Sequence, residues 1–222
     1  MPMNIAMDGP VGAGKSTIAD RVADKLGILH LDTGAMYRAL ALHVLRKGVD
    51  PAMEQEACAA CADAVVEVRY ADGRQQTLLC GEDVSGLIRT EEVSMATSTL
   101  SKWPDVRTRM VALQREIAAK SDILLDGRDL GTRVLPDATL KIYLTASAEE
   151  RARRRVAQYR EMGKETDYAE ILRDVNARDY QDMNRALDPL RCADDAVTVD
   201  STNMTMDEVV DTIVAMCREK EA

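Results

Sequence analysis

The stretch Asn4-Ile-Ala-Met-Asp8, followed by Gly9-Pro10-Val11-Gly12-Ala13-Gly14-Lys15-Ser16-Thr17, decides the fold. Asn4 to Met7 is a short apolar run ending in a carboxylate and reads as a buried strand. Gly9 to Ser16 satisfies the phosphate-loop pattern GxxxxGK[ST]. From Thr17 to Leu26, apolar residues fall at Ile18, Val22, Ala23 and Leu26, the spacing of an amphipathic helix. Strand, loop and helix in this order are what the chemistry needs. Glycines let the backbone turn so that its N–H groups converge on phosphate at the positive end of a helix dipole. Lys15 can then reach β- and γ-phosphates, and the Ser16 hydroxyl can ligate Mg²⁺.

Outward from the loop, the remaining chain alternates strand-like and helix-like runs, which predicts a parallel α/β sheet covered by helices. The expected strands are Asn4–Met7, Ile28–Leu31, Ile123–Leu125, Leu140–Leu144 and Ala196–Val199, a five-stranded core. A last helix from Met206 to about Arg218 would pack back on the sheet through Val209, Val210, Ile213 and Met216. At 222 residues the chain can bury one full core with appended lobes. The formal charge of -9 argues against sequence-independent nucleic-acid binding, which relies on many cations. Anionic small molecules stay open, because local clusters of arginine meet them. No basic stretch leads into a long apolar one and no apolar run is long enough for a bilayer, so a cytoplasmic protein without membrane contact is expected. Five cysteines fit a reducing compartment. Cys58 and Cys61 form a CxxC, but without a second pair they read as two positions on one helical face.

A phosphate loop establishes nucleotide binding, not what is done with the nucleotide. No [NT]KxD element is present to read guanine, which weighs against a GTP-driven switch. A kinase of a phosphorylated acceptor needs a second anion site, and the chain offers candidates. Asp32-Thr-Gly-Ala-Met-Tyr-Arg38 follows the second strand, at a carboxyl end where ligands collect in such sheets. Arg38 can hold a phosphate bidentately there. Ser121 to Asp126 is another buried strand ending in a carboxylate, followed by Gly127-Arg-Asp-Leu-Gly-Thr132. Asp126 suits either a second-sphere Mg²⁺ group or a loop-orienting role, and the sequence leaves both open. Ser147 to Met162 reads as a helix with a Ser-x-x-Glu cap, carrying Arg151, Arg153, Arg154, Arg155 and Arg160. After Gly163-Lys164, a second helix from about Asp167 carries Arg173, Arg178 and Arg185. Such a charge run is ordinarily a solvated helix face. Paired with a phosphate loop, the two helices read as a lid that closes positive charge over a transferring phosphoryl group and excludes water.

Gly9–Thr17, Asp32–Arg38, Glu82-Asp-Val-Ser-Gly-Leu-Ile-Arg89, Gly127–Thr132 and Arg178-Asp-Tyr-Gln-Asp-Met-Asn-Arg185 together resemble the bacterial-type cytidylate kinases, of the P-loop nucleoside monophosphate kinase superfamily. The likeness runs along essentially the whole chain. It implies transfer of the γ-phosphoryl of ATP to CMP or dCMP, with Mg²⁺ accompanying the ATP. A UMP/CMP-type or shikimate-type kinase is the alternative, and a non-enzymatic ATP-binding module stands third. The resemblance implies one domain: a core of residues 1–50, 91–150 and 186–222, a monophosphate-binding insert at 51–90, and a lid at 151–185. Within the insert, a helix near Met53–Ala62 and strands Val65–Tyr70 and Gln75–Cys80 are expected, with Asp72-Gly73 as a hairpin turn.

Carried over residue by residue, the resemblance puts Ser98, Arg107 and Asp129 on the cytosine ring. Arg38, Arg128 and Arg185 fall on phosphate, and Arg178 and Asp182 on ribose. Thr33 and Tyr37 border the acceptor. Gly9 through Thr17, with Arg151 and Arg155, fall to ATP, and Lys15, Arg128, Arg154 and Arg185 to catalysis. Asp129 makes chemical sense, because a carboxylate accepts from the exocyclic amine of cytosine. The partners expected are small nucleotides, and the chain is expected to work as a monomer. His30 and His43 receive no catalytic role. None is needed where the acceptor is already anionic and catalysis is by positioning and charge neutralisation.

Overall fold

The computed structural model describes residues 2–221. Its strands are β1 (Asn4–Asp8), β2 (Leu29–Asp32), β3 (Val66–Ala71), β4 (Arg74–Leu79), β5 (Glu82–Asp83), β6 (Ile123–Gly127), β7 (Leu140–Thr145) and β8 (Val197–Asp200). Its helices are α1 (Lys15–Leu26), α2 (Thr33–Arg46), α3 (Glu54–Ala62), α4 (Glu91–Leu100), α5 (Pro104–Ala118), α6 (Ala148–Glu161), α7 (Tyr168–Asn184) and α8 (Met206–Glu221). A π-helical turn covers Leu130–Val134. Five strands form a parallel sheet in the order β2-β6-β1-β7-β8, and β3-β4-β5 form a small antiparallel sheet. The five core strands read from the sequence are all present, each within a residue or two of its expected bounds. β1 is central because it is buried on both faces: Ile5, Ala6 and Met7 are fully buried, which suits a continuous apolar run better than an alternating one.

The chain divides into two compact units. One is Leu29–Asp122, which contains α2 to α5 and the small sheet; the expected insert at 51–90 lies inside it. Asp72 and Gly73 connect β3 to β4 with positive φ values of 51° and 75°, as a two-residue hairpin loop with matching twist requires. Cys58 and Cys61 are free thiols on α3, and burial pushes the Cys61 thiol up to about 11. Among the described residues no cluster of His, Cys, Asp or Glu can hold a metal ion by itself, and no helix is long and apolar enough to cross a membrane.

The other unit comprises Met3–Ile28 and the chain from Ile123 onward. Its core joins Ile5, Met7, Ile18, Val22, Leu124, Ile142 and Leu144 to α8 through Val209, Val210, Ile213 and Cys217, with Met216 packed against them. The α8 stripe is thus the one its spacing predicts. α6 and α7 carry a small core of their own, Ala152, Val156, Ile171 and Val175. Seven residues of each two-turn repeat leave room for both a buried stripe and an arginine face, which is how this arginine-rich pair stays packed. Ser147 caps α6 by accepting from the Glu150 N–H at 3.2 Å, and Asp167 caps α7 by accepting from Ala169.

Candidate active site

In the second unit the phosphate loop runs from the end of β1 into α1. Gly9 is obligatory on steric grounds: a Cβ there would sit 2.0 Å from the Leu144 carbonyl oxygen on neighbouring β7. Gly12, at φ 76°, faces α6 so closely that a Cβ would lie 3.3 Å from Arg151 Cβ. α1 starts at Lys15 with no side chain capping its N-terminus. Its first N–H groups and its dipole are therefore left to whatever anion approaches.

Cations hold the loop from its carbonyl side. Lys15 Nζ donates to Gly9 O at 2.7 Å and to Pro10 O at 2.8 Å. Arg151 donates to Val11 O at 2.9 Å, and Arg154 to Ala13 O at 3.4 Å. In a trans peptide the C=O and the next N–H point opposite ways. Fixing the carbonyls of Pro10, Val11 and Ala13 therefore turns the N–H groups of Val11, Gly12 and Gly14 away from these cations. The loop is pre-arranged as a nest of donors. Lys15, expected on phosphate, rests on its own loop, and burial, followed by the neighbouring Arg128 charge, pulls its pKa well below the usual lysine range.

Ser16 Oγ donates to Asp126 Oδ2 at 2.9 Å, with Asp126 buried at the end of β6. A hydroxyl and a carboxylate side by side are hard oxygen donors of the kind Mg²⁺ takes, with the rest of its shell left to water and phosphate. Asp126 thus contacts the loop directly. Thr17 is exposed on the first turn of α1.

The remaining side chains of this half form alternating charge pairs. Arg128 Nε donates to Asp182 Oδ2 at 3.0 Å, and Arg185 lies 3.2 Å from Asp129 Oδ1. Burial works against the Arg128 charge, but Asp182, Asp126 and Asp8 outweigh it and raise its pKa. Arg178 is half-buried on α7, and Arg155 stacks over Tyr159 with its guanidinium 5.3 Å from the ring. Arg154 also donates to Ser201, through NH1 to Oγ at 3.1 Å and NH2 to O at 2.7 Å. Arg151, expected among the ATP ligands, is buried with its guanidinium committed to protein groups: Ala146 O, Val11 O and Asp179 Oδ2.

Two carboxylates here escaped the sequence reading. Asp8 accepts from the N–H groups of Leu130 at 2.9 Å and Gly131 at 2.8 Å, filling two donors at the start of the π-helical turn that follows Arg128 and Asp129. Burial raises its pKa to about 6. The signal was present, since Asp8 ends its strand as Asp32 and Asp126 end theirs. Asp179 lies in the quoted Arg178–Arg185 stretch, but its partner Arg151 stands 28 residues away and nothing local announces it.

In the first unit Asp32 organises the candidates. Its Oδ1 caps α2 by accepting from Ala35 at 2.9 Å, while Arg38 donates to Oδ2 at 2.7 Å and Arg89 approaches the same oxygen at 3.6 Å. Gln75 of β4 accepts from the Asp32 backbone N–H at 2.7 Å, tying the small sheet to the start of α2. Thr33 is buried and Tyr37 half-buried on the same helix. Ser98 is half-buried on α4, and Arg107, almost wholly buried on α5, donates to Ser101 O at 3.3 Å. Gln75 and Arg89 were not singled out from sequence as site residues.

A parallel sheet, a phosphate loop on its central strand and flanking arginines define the class of phosphate-loop phosphotransferases. A gluconokinase from Sinorhizobium meliloti shares the fold at a TM-score of 0.50 and 14% identity, over 98% of this chain and 93% of that one. The cytidylate kinase family model matches residues 5–219. A cytidylate kinase from Symbiobacterium thermophilum is 49% identical over 96% of this chain and 95% of its own length. One from Caldicellulosiruptor bescii is 45% identical over 96% of this chain and 95% of its own length. The chain belongs to the cytidylate kinase family.

Proposed function

We propose that this enzyme transfers the γ-phosphoryl group of ATP to CMP or dCMP, giving ADP and the corresponding diphosphate. The observation that carries the reading is the family match over residues 5–219, on a chain whose phosphate loop already presents its N–H groups to an anion. The amides of Gly9–Thr17 cradle the phosphates of ATP. Lys15 leaves the Gly9 and Pro10 carbonyls for the β- and γ-phosphates, a short swing for a flexible side chain. Ser16 would hold Mg²⁺ beside Asp126, and the ion would neutralise charge on the phosphates.

The acceptor contacts follow the family resemblance. Arg38, Arg128 and Arg185 bind its phosphate, Arg178 and Asp182 the ribose, and Ser98, Arg107 and Asp129 the base, with Thr33 and Tyr37 beside it. Each phosphate arginine already has a carboxylate partner or a carbonyl to leave or share, Asp32 for Arg38, Asp182 for Arg128 and Asp129 for Arg185. A phosphate takes over the charge-assisted bonds of each arginine, while the ribose hydroxyls and the cytosine amine give Asp182 and Asp129 new donors in place of the ones they lose. Arg154 and Arg155 supply positive charge from α6 as the phosphoryl group moves, and closure of residues 151–185 as a lid excludes water.

The test is steady-state kinetics with CMP, dCMP and UMP, on wild type and Asp129→Asn. The O4 of uracil is an acceptor where Asp129 needs a donor, so UMP should be worse than CMP by roughly ten- to a hundredfold, about 1–3 kcal/mol. dCMP keeps every base and phosphate contact and should remain a substrate. Asp129→Asn should narrow the CMP/UMP gap, because an amide can also donate to O4. Equal use of UMP and CMP by wild type would show that Asp129 does not read the base and would favour a UMP/CMP-type activity.

A further inference from the structure

Arg151 makes bonds to three separate pieces of chain. Its Nε donates to Ala146 O at 2.9 Å beyond the end of β7, its NH1 to Val11 O at 2.9 Å in the phosphate loop, and its NH2 to Asp179 Oδ2 at 2.6 Å on α7. Both side chains of the ion pair are largely buried, 6% and 13% exposed, so the pair is little screened by solvent. The loop also packs closely on it from the other side, since a Cβ at Gly12 would lie 3.3 Å from Arg151 Cβ. Asp179 Oδ1 is buried without a hydrogen-bond partner among the described residues, while Oδ2 accepts from Arg151. The helix that carries Asp179 also carries Arg178 and Asp182 and ends at Arg185.

We infer that Asp179 is a positioning residue which, through Arg151, couples the donor loop to α7, so that nucleotide at the loop fixes the helix bearing the acceptor residues. The identity of those acceptor residues rests on the function proposed above; the coupling of loop to helix does not. Phosphates bound by the Gly12 and Gly14 amides fix the Val11 peptide. The carbonyl of that peptide then holds the Arg151 fork in one orientation, and a planar guanidinium with three fixed bonds transmits that orientation to Asp179. Asp179→Asn keeps the shape but removes the charge, and Arg151→Lys keeps the charge but replaces three separate guanidinium nitrogens with one ammonium, which cannot span three acceptors so far apart.

Hydrogen exchange read by mass spectrometry tests this with the intact chain and Mg²⁺ plus a non-hydrolysable ATP analogue alone. Saturating analogue should slow exchange across Tyr168–Asn184 at least about fivefold in wild type, a coupling of ordinary allosteric size. In Asp179→Asn, saturated with the same analogue, protection should persist in the loop and disappear from α7. Arg151→Lys should do the same, and the double variant should add nothing further. Arg151→Lys alone also serves if Asp179→Asn does not fold. A companion titration of CMP with and without the analogue should show synergy in wild type that both single variants lose. Wild-type α7 indifferent to the analogue would overturn the inference, as would protection that survives in both variants. Protection of α7 without any CMP binding would uphold the coupling and instead defeat the acceptor assignment.

Discussion

Asp8 shows how a single residue can trade stability for arrangement. Its carboxylate holds two consecutive amides of the turn that presents Arg128 and Asp129, yet burial raises its pKa from an ordinary 3.8 to about 6. A group that binds its proton more tightly when folded favours the fold most below the unfolded pKa. That contribution fades as pH rises to about 6. The shift corresponds to about 3 kcal/mol in order of magnitude. Wild-type stability relative to Asp8→Asn should therefore fall between about pH 4 and about pH 6 and level off above that, followed by urea unfolding at each pH. A difference that stays flat across that window would show the carboxylate does not titrate there. The same residue explains why Arg128 and Asp129 stand where they do, because the amides that follow them are fixed from β1.

At the scale of an element, α6 does two jobs with one sequence. Its buried stripe packs on α7, while Arg151 and Arg154 hold the carbonyl side of the phosphate loop. The orientation of both arginines depends on where the helix begins, and that is set by Ser147. Removing the cap in Ser147→Ala should cost about 1 kcal/mol of stability. Because fraying at that end also loosens Arg151, the KM for ATP should rise more than the KM for CMP. Denaturant unfolding and initial-rate kinetics on the same preparation check both. A loss of stability with the two KM values unchanged would mean that Arg151 is anchored independently of the cap.

For the whole molecule, the balance of -9 coexists with a site built of arginines, because acidic side chains are spent on the surface and as partners. The surface pairs Arg21–Asp207 and Lys25–Asp211 are well exposed and contribute little to stability. The site must instead draw polyanions across partly solvated space. Raising monovalent salt from about 0.05 M to about 0.5 M shortens the Debye length severalfold. It should lower kcat/KM markedly while the melting temperature moves by only a few degrees. A parallel fall of both would place the salt-sensitive charges in the fold rather than in the site.

The sequence by itself determined the five core strands, the phosphate loop and the Ser147 cap. These are local: an apolar run, glycines that let the loop turn toward phosphate, and a Ser-x-x-Glu start are written within a few consecutive residues. It also supplied the family through motifs spread along the chain. What only the tertiary structure decided is which charge meets which. Asp8 reaches the turn after Asp129 across 122 and 123 residues, Ser16 reaches Asp126 across 110, and Arg151 reaches Val11 across 140. Arginine spacing along α6 cannot reveal that Arg151 and Arg154 turn inward to brace the loop while Arg153 stays exposed. That choice depends on burial and on the partner carboxylate of α7, which no periodicity records. The π-helical turn at Leu130–Val134 was likewise illegible, since the donors that stabilise it find their acceptor on another strand. Local chemistry thus sets the elements. The pairing of buried charges waits for the chain to bring distant carboxylates and cations together, where desolvation leaves them no other partner.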